Sequence, residues 1–452
     1  MERCEGGGFF YVPTTPKKMS VFIWTDSPNT RALIQSYILS DAYPVQAIWN
    51  LFSCFNHIGP NREFAFFHIS TDKTTEFVNR RNSFKSLEDF QRVIRNDPPF
   101  RIEIGPIRIS PLHAKQELPS VVASEFRIDI DVDGYDGARS CCRGKKFCPS
   151  CWPLVTLAAQ QINLALEMLG STTHVWFYSG GRGMHCWDFT RSDPIFMDSA
   201  KSTRSQIAIY LCQCDVSLAA GLQHNPLCLA RIRLLLLDKN HSFLIWYLAR
   251  HPYIALTTIS RCASILLAKS HTKMQKEDIS TVIFSNKVID AAESIQNVRL
   301  SKLRELRGMD VDTSIEDLPS LNEDSIMCIR VVVMQMIAKV KSIMNAPTSI
   351  DWSISAVAAI AEAALICMGP RIDLQVSTSA SHLLRAPMGI HAATGHLGIM
   401  VADTNLPGFY PKAGETVPVL VGANGELHPR ELSLKCKKEF IDWVNEQKNL
   451  LV

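Results

Sequence analysis

Acidic residues recur at every second position of one short segment. Residues 125–133 read Glu-Phe-Arg-Ile-Asp-Ile-Asp-Val-Asp, which places apolar residues on one face of a strand and Asp129, Asp131 and Asp133 on the other. The Cβ atoms of Asp129 and Asp131 would lie about 7 Å apart on that face. Carboxylates at that spacing suit two divalent cations about 3.5–4 Å apart, the arrangement that assists in-line phosphoryl displacement. The spacing therefore predicts a site for two divalent cations.

The same segment partly matches a calcium-binding loop. Asp-x-Asp-x-Asp-Gly occupies 129–134, but the twelfth position, where an EF-hand loop requires glutamate, is Ser140. The segment also begins in a predicted strand, whereas an EF-hand loop follows a helix. Calcium is therefore disfavoured, and a solvated strand face is the structural alternative to the metal site.

A glycine-rich turn follows at 179–187, with the sequence Ser-Gly-Gly-Arg-Gly-Met-His-Cys-Trp. Glycines let backbone amides approach an anion, while Arg182 and His185 offer donors to phosphate oxygens. The turn lacks the Lys-Ser/Thr of a Walker A loop, and the strand predicted after it argues against a dinucleotide-binding fingerprint. The turn predicts phosphate binding, and the alternative for His185 is a packed side chain beside Trp187.

A further acidic residue lies far along the chain. Residues 371–377 read Arg-Ile-Asp-Leu-Gln-Val-Ser and predict a strand that carries Asp373. Arg385 and His391 follow it and are suited to triphosphate contacts. By itself this segment is an ordinary strand with an exposed turn.

Cysteines cluster at one place in the chain. Cys141, Cys142, Cys148 and Cys151 lie within eleven residues, whereas the other ten of the 14 cysteines are scattered. Four thiolates on short loops close a tetrahedral zinc site, and in a reducing compartment zinc is favoured over two disulfides. Free buried cysteines are the remaining alternative. Four protein ligands leave no open position, so the predicted zinc is structural.

The predicted elements that carry these residues alternate strands and helices. Period-two patterns predict strands between 63 and 109 and at 173–179, and helical spacing predicts a helix at 152–169 that ends at Gly170. From 195 to 349 the pattern changes to long helical segments, which include 200–222, 286–307 and 324–344. An amphipathic helix at 431–447 closes the chain.

Composition limits the class of protein. The 452 residues are 46% hydrophobic and 20% charged with a net charge of +3, which excludes collagen-like, wholly disordered and coiled-coil proteins. The most apolar stretches contain charged residues and fall short of the ~20 residues of a membrane span. The first residues lack a signal-peptide pattern, so a reducing compartment and no membrane partner are expected.

Taken in series, these blocks resemble the small catalytic subunit of archaeal and eukaryotic DNA primases. The resemblance covers 61–66, 125–152, 176–187 and 371–391. It implies an α+β fold, the primase small-subunit catalytic fold, with mixed β-sheets flanked by helices, a zinc knuckle and a helical insertion subdomain. The catalytic domain would be discontinuous and comprise 1–194 and 350–452, with the zinc-binding motif at 141–151 and the insertion at 195–349.

The resemblance also implies roles for individual residues. Asp129, Asp131 and Asp373 would be catalytic and would bind two Mg²⁺ or Mn²⁺ ions. The four clustered cysteines, Cys141, Cys142, Cys148 and Cys151, would hold structural Zn²⁺. The nucleotide phosphates would be bound by Ser179, Arg182, His185, Arg385 and His391.

The implied activity is that of a primase, a DNA-directed RNA polymerase. It would make short RNA primers from NTPs on a single-stranded DNA template for DNA replication, by two-metal-ion nucleotidyl transfer. The implied partners are a large primase subunit, in a heterodimer, and a replicative DNA polymerase. The implied location is intracellular, and nuclear in a eukaryote.

Two positions depart from the family pattern. Gly181 stands where the family usually has the first of two arginines, and Arg385 stands where it often has lysine. The alternative function is a catalytically weakened primase-like subunit that binds template, through a basic patch such as Arg143, Lys145 and Lys146, without synthesis. A zinc-containing nuclease that uses the same acids is a third hypothesis.

Overall fold

The computed structural model describes most of the chain outside its middle. The described residues are 9–15, 18–23, 27–54, 59–70, 75–112, 117–139, 141–212, 226–237, 244, 363–365, 367–411, 419–421, 427–429 and 431–451. The predicted helical segments at 286–307 and 324–344 lie outside these residues.

The strands of the described residues, numbered in chain order, are β1 (Phe9–Thr15), β2 (Lys18–Ile23), β3 (Arg62–Ile69), β4 (Glu76–Asn82), β5 (Arg101–Arg108), β6 (Val121–Ala123), β7 (Phe126–Asp131), β8 (His174–Tyr178), β9 (Gly183–Asp188), β10 (Leu384–Arg385), β11 (Met400–Val401), β12 (Val419–Val421) and β13 (Leu427–Pro429). The α-helices of the same residues are α1 (Pro28–Leu39), α2 (Val45–Trp49), α3 (Leu87–Asn96), α4 (Pro153–Met168), α5 (Lys201–Cys212), α6 (Pro226–Leu237), α7 (Leu374–Thr378) and α8 (Glu431–Leu451). A π-helical segment spans Asn50–Cys54, and 3₁₀ segments include Gly59–Asn61, Val132–Tyr135, Pro194–Met197 and Asp403–Gly408.

Local sequence explains where several helices begin and end. Ser27 accepts a hydrogen bond from the Thr30 backbone, and the Thr30 side chain accepts one from the Ser27 backbone, which forms a capping box before α1. Pro153 begins α4, and Gly170 just beyond its end adopts a φ of 87°, which favours glycine. These positions confirm the predicted helix at 152–169.

The strands form two larger sheets and two two-stranded sheets. In the first larger sheet the order is β10-β5-β3-β4, with β6 also paired to β5, and in the second it is β11-β8-β9-β7. Every described pair is antiparallel, so the predicted mixed sheets are instead antiparallel. A short connection accounts for one of these pairs, because the four-residue turn 179–182 between β8 and β9 can join only antiparallel neighbours.

One apolar core joins both larger sheets. Phe64 and Ile104 of the first sheet and Trp187 of the second are fully or almost fully buried in it, together with residues of α1, α2, α3 and α8. The opposite face of the second sheet packs on α4, where the Trp176 Nε1–H donates to Asn163 Oδ1 at 2.7 Å. The second sheet is thus covered on both faces, which fixes the strand that carries the acids.

The chain divides into two compact units. The first comprises Met1–Cys212 and Pro370–Val452, and the second comprises Gln213–Gly369. In the second unit, α6 buries Ile232, Leu235 and Leu236. Residues 195–212, which the sequence analysis assigned to the insertion, belong to the first unit, where α5 packs on α7. The assignment of these units to a catalytic domain and an insertion remains a prediction.

The segment 371–377 is not the strand that its alternation predicts. Asp373 is the N-cap of the short helix α7, and its Oδ1 accepts from the backbone of Gln375 at 2.8 Å and of Val376 at 3.4 Å. Aspartate before a helix satisfies amides that otherwise lack partners, and this local bonding outweighs the apolar alternation.

A membrane-spanning helix needs about 20 predominantly apolar residues, and the described ranges contain helices of up to 21 residues. Within those ranges, none is both long and apolar enough to cross a bilayer.

Candidate active site

The face of β7 presents Asp129 and Asp131 side by side with the glycine-rich turn. Their neighbours Ile128 and Ile130 are fully buried on the other face, as the alternation predicts. In the register of β7 with β9, Asp129 lies opposite His185 and Asp131 lies opposite Gly183. The His185 Nε2 atom is 3.6 Å from Asp129 Oδ1. The acidic strand and the turn therefore form one continuous surface.

Asp373 reaches the same surface from the far end of the chain. Its backbone N–H donates to the Asp129 carbonyl at 2.9 Å, so α7 begins beside the middle of β7. Asp133, in contrast, lies in the 3₁₀ segment Val132–Tyr135 that follows β7. The structure thus brings together the three acids whose catalytic role the resemblance implies.

The acids are crowded and incompletely neutralised. Burial raises the pKa of Asp129 to about 7, with the nearby carboxylate of Asp373 contributing to the effect. Burial likewise raises the pKa of Asp131 to about 6, with Asp129 adding to the effect. Asp129 Oδ1 is buried and has no hydrogen-bond donor among the described residues. Carboxylates in this state fit oxygen ligands of a divalent cation such as Mg²⁺ or Mn²⁺.

Arg182 supplies the positive charge nearest to this acidic face. Its Nη2 lies 2.6 Å from Asp131 Oδ2, and its Nε lies 3.0 Å from Asp133 Oδ2. Its backbone carbonyl accepts from Val132 N–H at 3.1 Å, which fixes the turn against the end of β7. The predicted phosphate-binding arginine thus pairs with the acids in this structure, and a bound phosphate would compete with Asp131 for its guanidinium.

Ser179 organises the glycine-rich turn. Its Oγ accepts from the backbone N–H of Gly181 at 3.2 Å and of Gly183 at 3.3 Å. Its hydroxyl hydrogen remains available to donate to an anion. Gly180 has a φ of 75°, and a Cβ there would lie 2.7 Å from the His396 carbonyl oxygen. Glycine is therefore required at this position both by conformation and by space.

Three residues that the sequence analysis did not select hold this turn from outside. The Tyr178 hydroxyl donates to the Gly181 carbonyl at 2.9 Å and lies 3.1 Å from His396 Nδ1. The Thr394 hydroxyl donates to the Gly180 carbonyl at 2.5 Å. His396 and Thr394 lie outside regular elements, so no periodic pattern marks them in the sequence.

Arg385 and the two site histidines surround the turn. Arg385 on β10 donates to the Ser179 carbonyl at 3.2 Å, and a Cβ on Gly181 would lie 3.0 Å from His391 Nε2. Burial lowers the pKa of His185 to about 4, and burial also lowers that of His391, with Arg385 adding to both effects. Both imidazoles are therefore neutral near pH 7 and offer N–H donors rather than charge. The five predicted phosphate contacts thus gather around one turn.

The four clustered cysteines are brought together on the loop after the acidic strand. Their sulfur atoms all lie within 4.8 Å of one another, and those of Cys148 and Cys151 are 4.0 Å apart. A tetrahedral zinc ion with Zn–S bonds of ~2.3 Å separates its sulfurs by roughly 3.8 Å. All four are free thiols, so the disulfide alternative is wrong. This donor set fits zinc.

Arg139 supports the cysteine loop from its buried side. Its Nη1 donates to the Lys146 carbonyl at 2.6 Å and lies 3.7 Å from Cys151 Sγ, and its Nη2 lies 2.5 Å from Asp136 Oδ1. The exposed residues Arg143, Lys145 and Lys146 lie on the same loop. Arg139 thereby ties Asp136, before the cysteine loop, to Lys146 and Cys151 within it.

Known proteins match this chain along most of its length. The family model described as DNA primase small subunit matches residues 128–403, which is more than half of the chain and includes every site residue discussed above. The DNA primase small subunit of Saccharomyces cerevisiae is 25% identical over 438 residues, covering 94% of this chain and 92% of that protein.

Two further relatives agree. The DNA primase small subunit of Schizosaccharomyces pombe is 26% identical over 385 residues, covering 81% of this chain and 73% of that protein. The corresponding subunit of Drosophila melanogaster is 26% identical over 344 residues, covering 75% of this chain and 69% of that protein. On the strength of the family match, this chain belongs to the DNA primase small-subunit family.

Proposed function

We propose that this chain synthesises short RNA primers from NTPs on a single-stranded DNA template for DNA replication. It is a nucleotidyltransferase with DNA-directed RNA polymerase activity. One observation supports this function most directly, namely the register that sets Asp129 beside His185 and Asp131 beside the glycine-rich turn. A carboxylate face next to a phosphate-binding turn is what joining two nucleotides requires.

In this proposal the three acids bind the catalytic cations. Asp129, Asp131 and Asp373 would hold two Mg²⁺ or Mn²⁺ ions, which supply activation of a 3′-hydroxyl and stabilisation of departing pyrophosphate. The raised pKa values of Asp129 and Asp131 support this assignment, since crowded carboxylates gain most from a bound cation. Ile128 and Ile130 are fully buried on the opposite face of β7, which holds the strand and the directions of its carboxylates fixed.

The turn and its neighbours bind the nucleotide phosphates. Arg182 and Arg385 contribute positive charge, and Ser179, His185 and His391 contribute hydrogen-bond donors. Because Arg182 is paired with Asp131 in this structure, we propose that it exchanges Asp131 for a phosphate oxygen when a nucleotide binds. The neutral imidazoles add donors without adding further charge next to Arg385.

A single assay separates the proposed function from its alternatives. The protein is incubated with labelled NTPs, Mn²⁺ and a polypyrimidine single-stranded DNA template, and the products are resolved by length. Dinucleotides and short RNA products would support primer synthesis. Template binding without products would support a subunit that has lost activity, and template cleavage would support a nuclease.

Gly181 lies directly against the imidazole of His391, so a side chain at this position would press on that ring. A Cβ at position 181 would lie 3.0 Å from His391 Nε2 and 3.1 Å from its Cδ2, so Gly181→Ala requires the imidazole to shift by a few tenths of an ångström. We expect the KM for NTPs to rise several-fold with a smaller change in kcat, since one phosphate donor is displaced. The measurement is steady-state primer synthesis at varied NTP concentration.

Gly137→Ala is the matched control for this change. A Cβ at position 137 meets no atom within 4 Å, so the same substitution there is expected to leave KM unchanged. Equal KM values for Gly181→Ala and the wild-type protein would contradict the placement of His391 at the phosphates.

We propose that Cys141, Cys142, Cys148 and Cys151 bind one structural zinc ion. The purified protein is then expected to contain about one zinc per chain, and Cys148→Ser with Cys151→Ser to contain none, as measured by atomic emission. Because four thiolates on one loop contribute folding free energy only when metal is bound, the double variant should melt several degrees lower. Cys212→Ser, on α5, is the control that keeps the zinc. A full zinc content in the double variant would refute the site.

The names of the relatives also suggest partners and a location for this chain. The matched proteins are named small subunits, and we propose that this chain likewise forms a heterodimer with a large primase subunit. We extend this assembly to a replicative DNA polymerase and to the nucleus, since the relatives cited above are from eukaryotes. Co-purification from nuclear extract with both subunits is the test.

A further inference from the structure

Arg127 lies on the same face of β7 as the catalytic acids. Side chains alternate along a strand, so Arg127 shares its face with Asp129 and Asp131 and is two residues from the first of them. Unlike an ordinary strand-face arginine, it is completely buried, and its guanidinium lies over the ring of Trp187 at 5.7 Å.

The guanidinium of Arg127 is bonded to the chain that follows Asp373. Its Nη1 donates to the His382 carbonyl at 2.5 Å, and its Nη2 donates to the carbonyls of Ala380 at 2.8 Å and Ser379 at 3.4 Å. These carbonyls lie just beyond the end of α7, the helix that Asp373 caps. Arg127 therefore fastens the far end of this segment to the acidic strand.

Arg204 fastens the same segment from a second element. Arg204 lies on α5 and is fully buried, and its Nε donates to the Ser377 carbonyl at 2.8 Å. Its Nη1 donates to the Ser124 carbonyl at 3.0 Å, and its Nη2 donates to the Glu125 carbonyl at 3.2 Å. One guanidinium thus joins the last turn of α7 to the residues immediately before β7.

These bonds matter because Asp373 lies on the stretch of chain that re-enters the first compact unit after residues 213–369. Residues 213–369 form a separate compact unit between the stretch that carries Asp129 and the stretch that carries Asp373. The helix α7 is only five residues long and therefore has little stability of its own. The bond from Asp373 N–H to the Asp129 carbonyl attaches its first end to β7, and the two arginines attach its other end. Each arginine uses a planar fork to hold several backbone carbonyls at once, which restricts both position and rotation.

We propose that Arg127 and Arg204 are positioning residues that hold Asp373 in the geometry required for binding the divalent cation. They act through the backbone of 377–382 and touch neither cation nor nucleotide. The inference rests on the proposed function, because it assigns these arginines to the same metal site.

The test compares three identical changes at buried arginines. Arg127→Lys and Arg204→Lys keep the charge but replace the fork with a single ammonium, which cannot hold the same set of carbonyls. Arg108→Lys is the matched control, since Arg108 is also buried but its guanidinium pairs with Glu63 at 2.5 Å and donates to the Pro119 carbonyl at 2.5 Å rather than to carbonyls of residues 377–382. Mn²⁺ binding is measured directly by electron paramagnetic resonance of the free ion, alongside kcat and the melting temperature.

We expect Arg127→Lys and Arg204→Lys to raise the Kd for Mn²⁺ roughly tenfold, as loss of a residue that orients a ligand does. We expect kcat to fall in the same two variants as the affinity for Mn²⁺ falls. Arg108→Lys is expected to change only the melting temperature. Unchanged Mn²⁺ affinity in both test variants, or an equal loss in Arg108→Lys, would overturn the inference. If one test variant does not fold, the other decides the outcome, because the two arginines lie on different elements.

Asp373→Asn distinguishes failure of this inference from failure of the proposed function. If Asp373→Asn binds Mn²⁺ as tightly as the wild-type protein, the metal site itself is wrong. If Asp373→Asn binds weakly while both lysine variants bind normally, only the positioning role is wrong.

Discussion

Replacing Asp129 and Asp131 together with alanine is expected to abolish dinucleotide formation while leaving the fold intact. Both carboxylates lie on one face of β7 beside the turn, and in our proposal they carry the cations that stabilise charge in the transition state. Loss of several kcal/mol of such stabilisation lowers the rate by at least about 10³-fold. The measurement is dinucleotide synthesis on a single-stranded DNA template with labelled NTPs.

The same double variant should not be less stable than the wild-type protein. The Oδ1 atom of Asp129 is buried without a hydrogen-bond donor among the described residues, and desolvation raises the pKa of this carboxyl, which means that its charged form is unfavourable there. Removing it relieves this penalty, and Arg182 keeps its ion pair with Asp133. We therefore expect the melting temperature to stay equal or to rise.

A charge-matched control completes this experiment. Asp89→Ala with Asp442→Ala also removes two negative charges, from the helices α3 and α8, and should leave synthesis unchanged. Wild-type synthesis by the Asp129 and Asp131 double variant would refute the assignment of these acids. A collapsed melting temperature in that variant would instead assign them a structural role.

Gly183→Ala is expected to be nearly as damaging, although it changes no chemical group. A Cβ at position 183 would overlap the Ile130 carbonyl oxygen and the Asp131 Oδ1 atom, because Gly183 lies directly opposite Asp131 in the sheet. Neither neighbour has free space, since Ile130 is held in the strand pairing and Asp131 is paired with Arg182. The strand and the carboxylate must therefore move apart.

We expect this movement to lower kcat by about 10²-fold, the effect that a misplacement of roughly 1 Å at a reacting centre produces. Overpacking should also destabilise the fold by about 1–3 kcal/mol, measured by chemical denaturation. Gly137→Ala adds the same methyl group where it meets no atom within 4 Å, and it should change neither kcat nor stability. Normal activity of Gly183→Ala would mean that the gap between β7 and β9 is not part of the active site.

Local patterns were sufficient to predict the elements that carry most of the site. The alternation at 125–133 predicted β7 and its two faces, and helical spacing predicted α4 to within a residue at each end. In both cases one face of the element is buried, and the spacing of the apolar residues along the sequence shows which face that is.

The rest depends on contacts between residues far apart in sequence. Alternation at 371–377 predicted a strand, but capping by Asp373 and the bonds from Arg127 and Arg204 select the helix α7. The same two arginines were not selected from the sequence, because the sequence alone does not distinguish a buried arginine from an exposed one. The neighbourhood of Asp129 and His185 also follows from a register that local patterns do not encode.

The late strands β10 and β11 have a consequence for how the protein is made. β10 completes the pairing of β5, and β11 completes that of β8, yet both are encoded after the unit Gln213–Gly369. At the usual rate of synthesis, β5 and β8 each wait roughly 10–55 s on the ribosome for these partners. During that interval each offers an open strand edge to other chains. Production of this protein therefore depends on protecting the nascent chain until its last quarter has emerged.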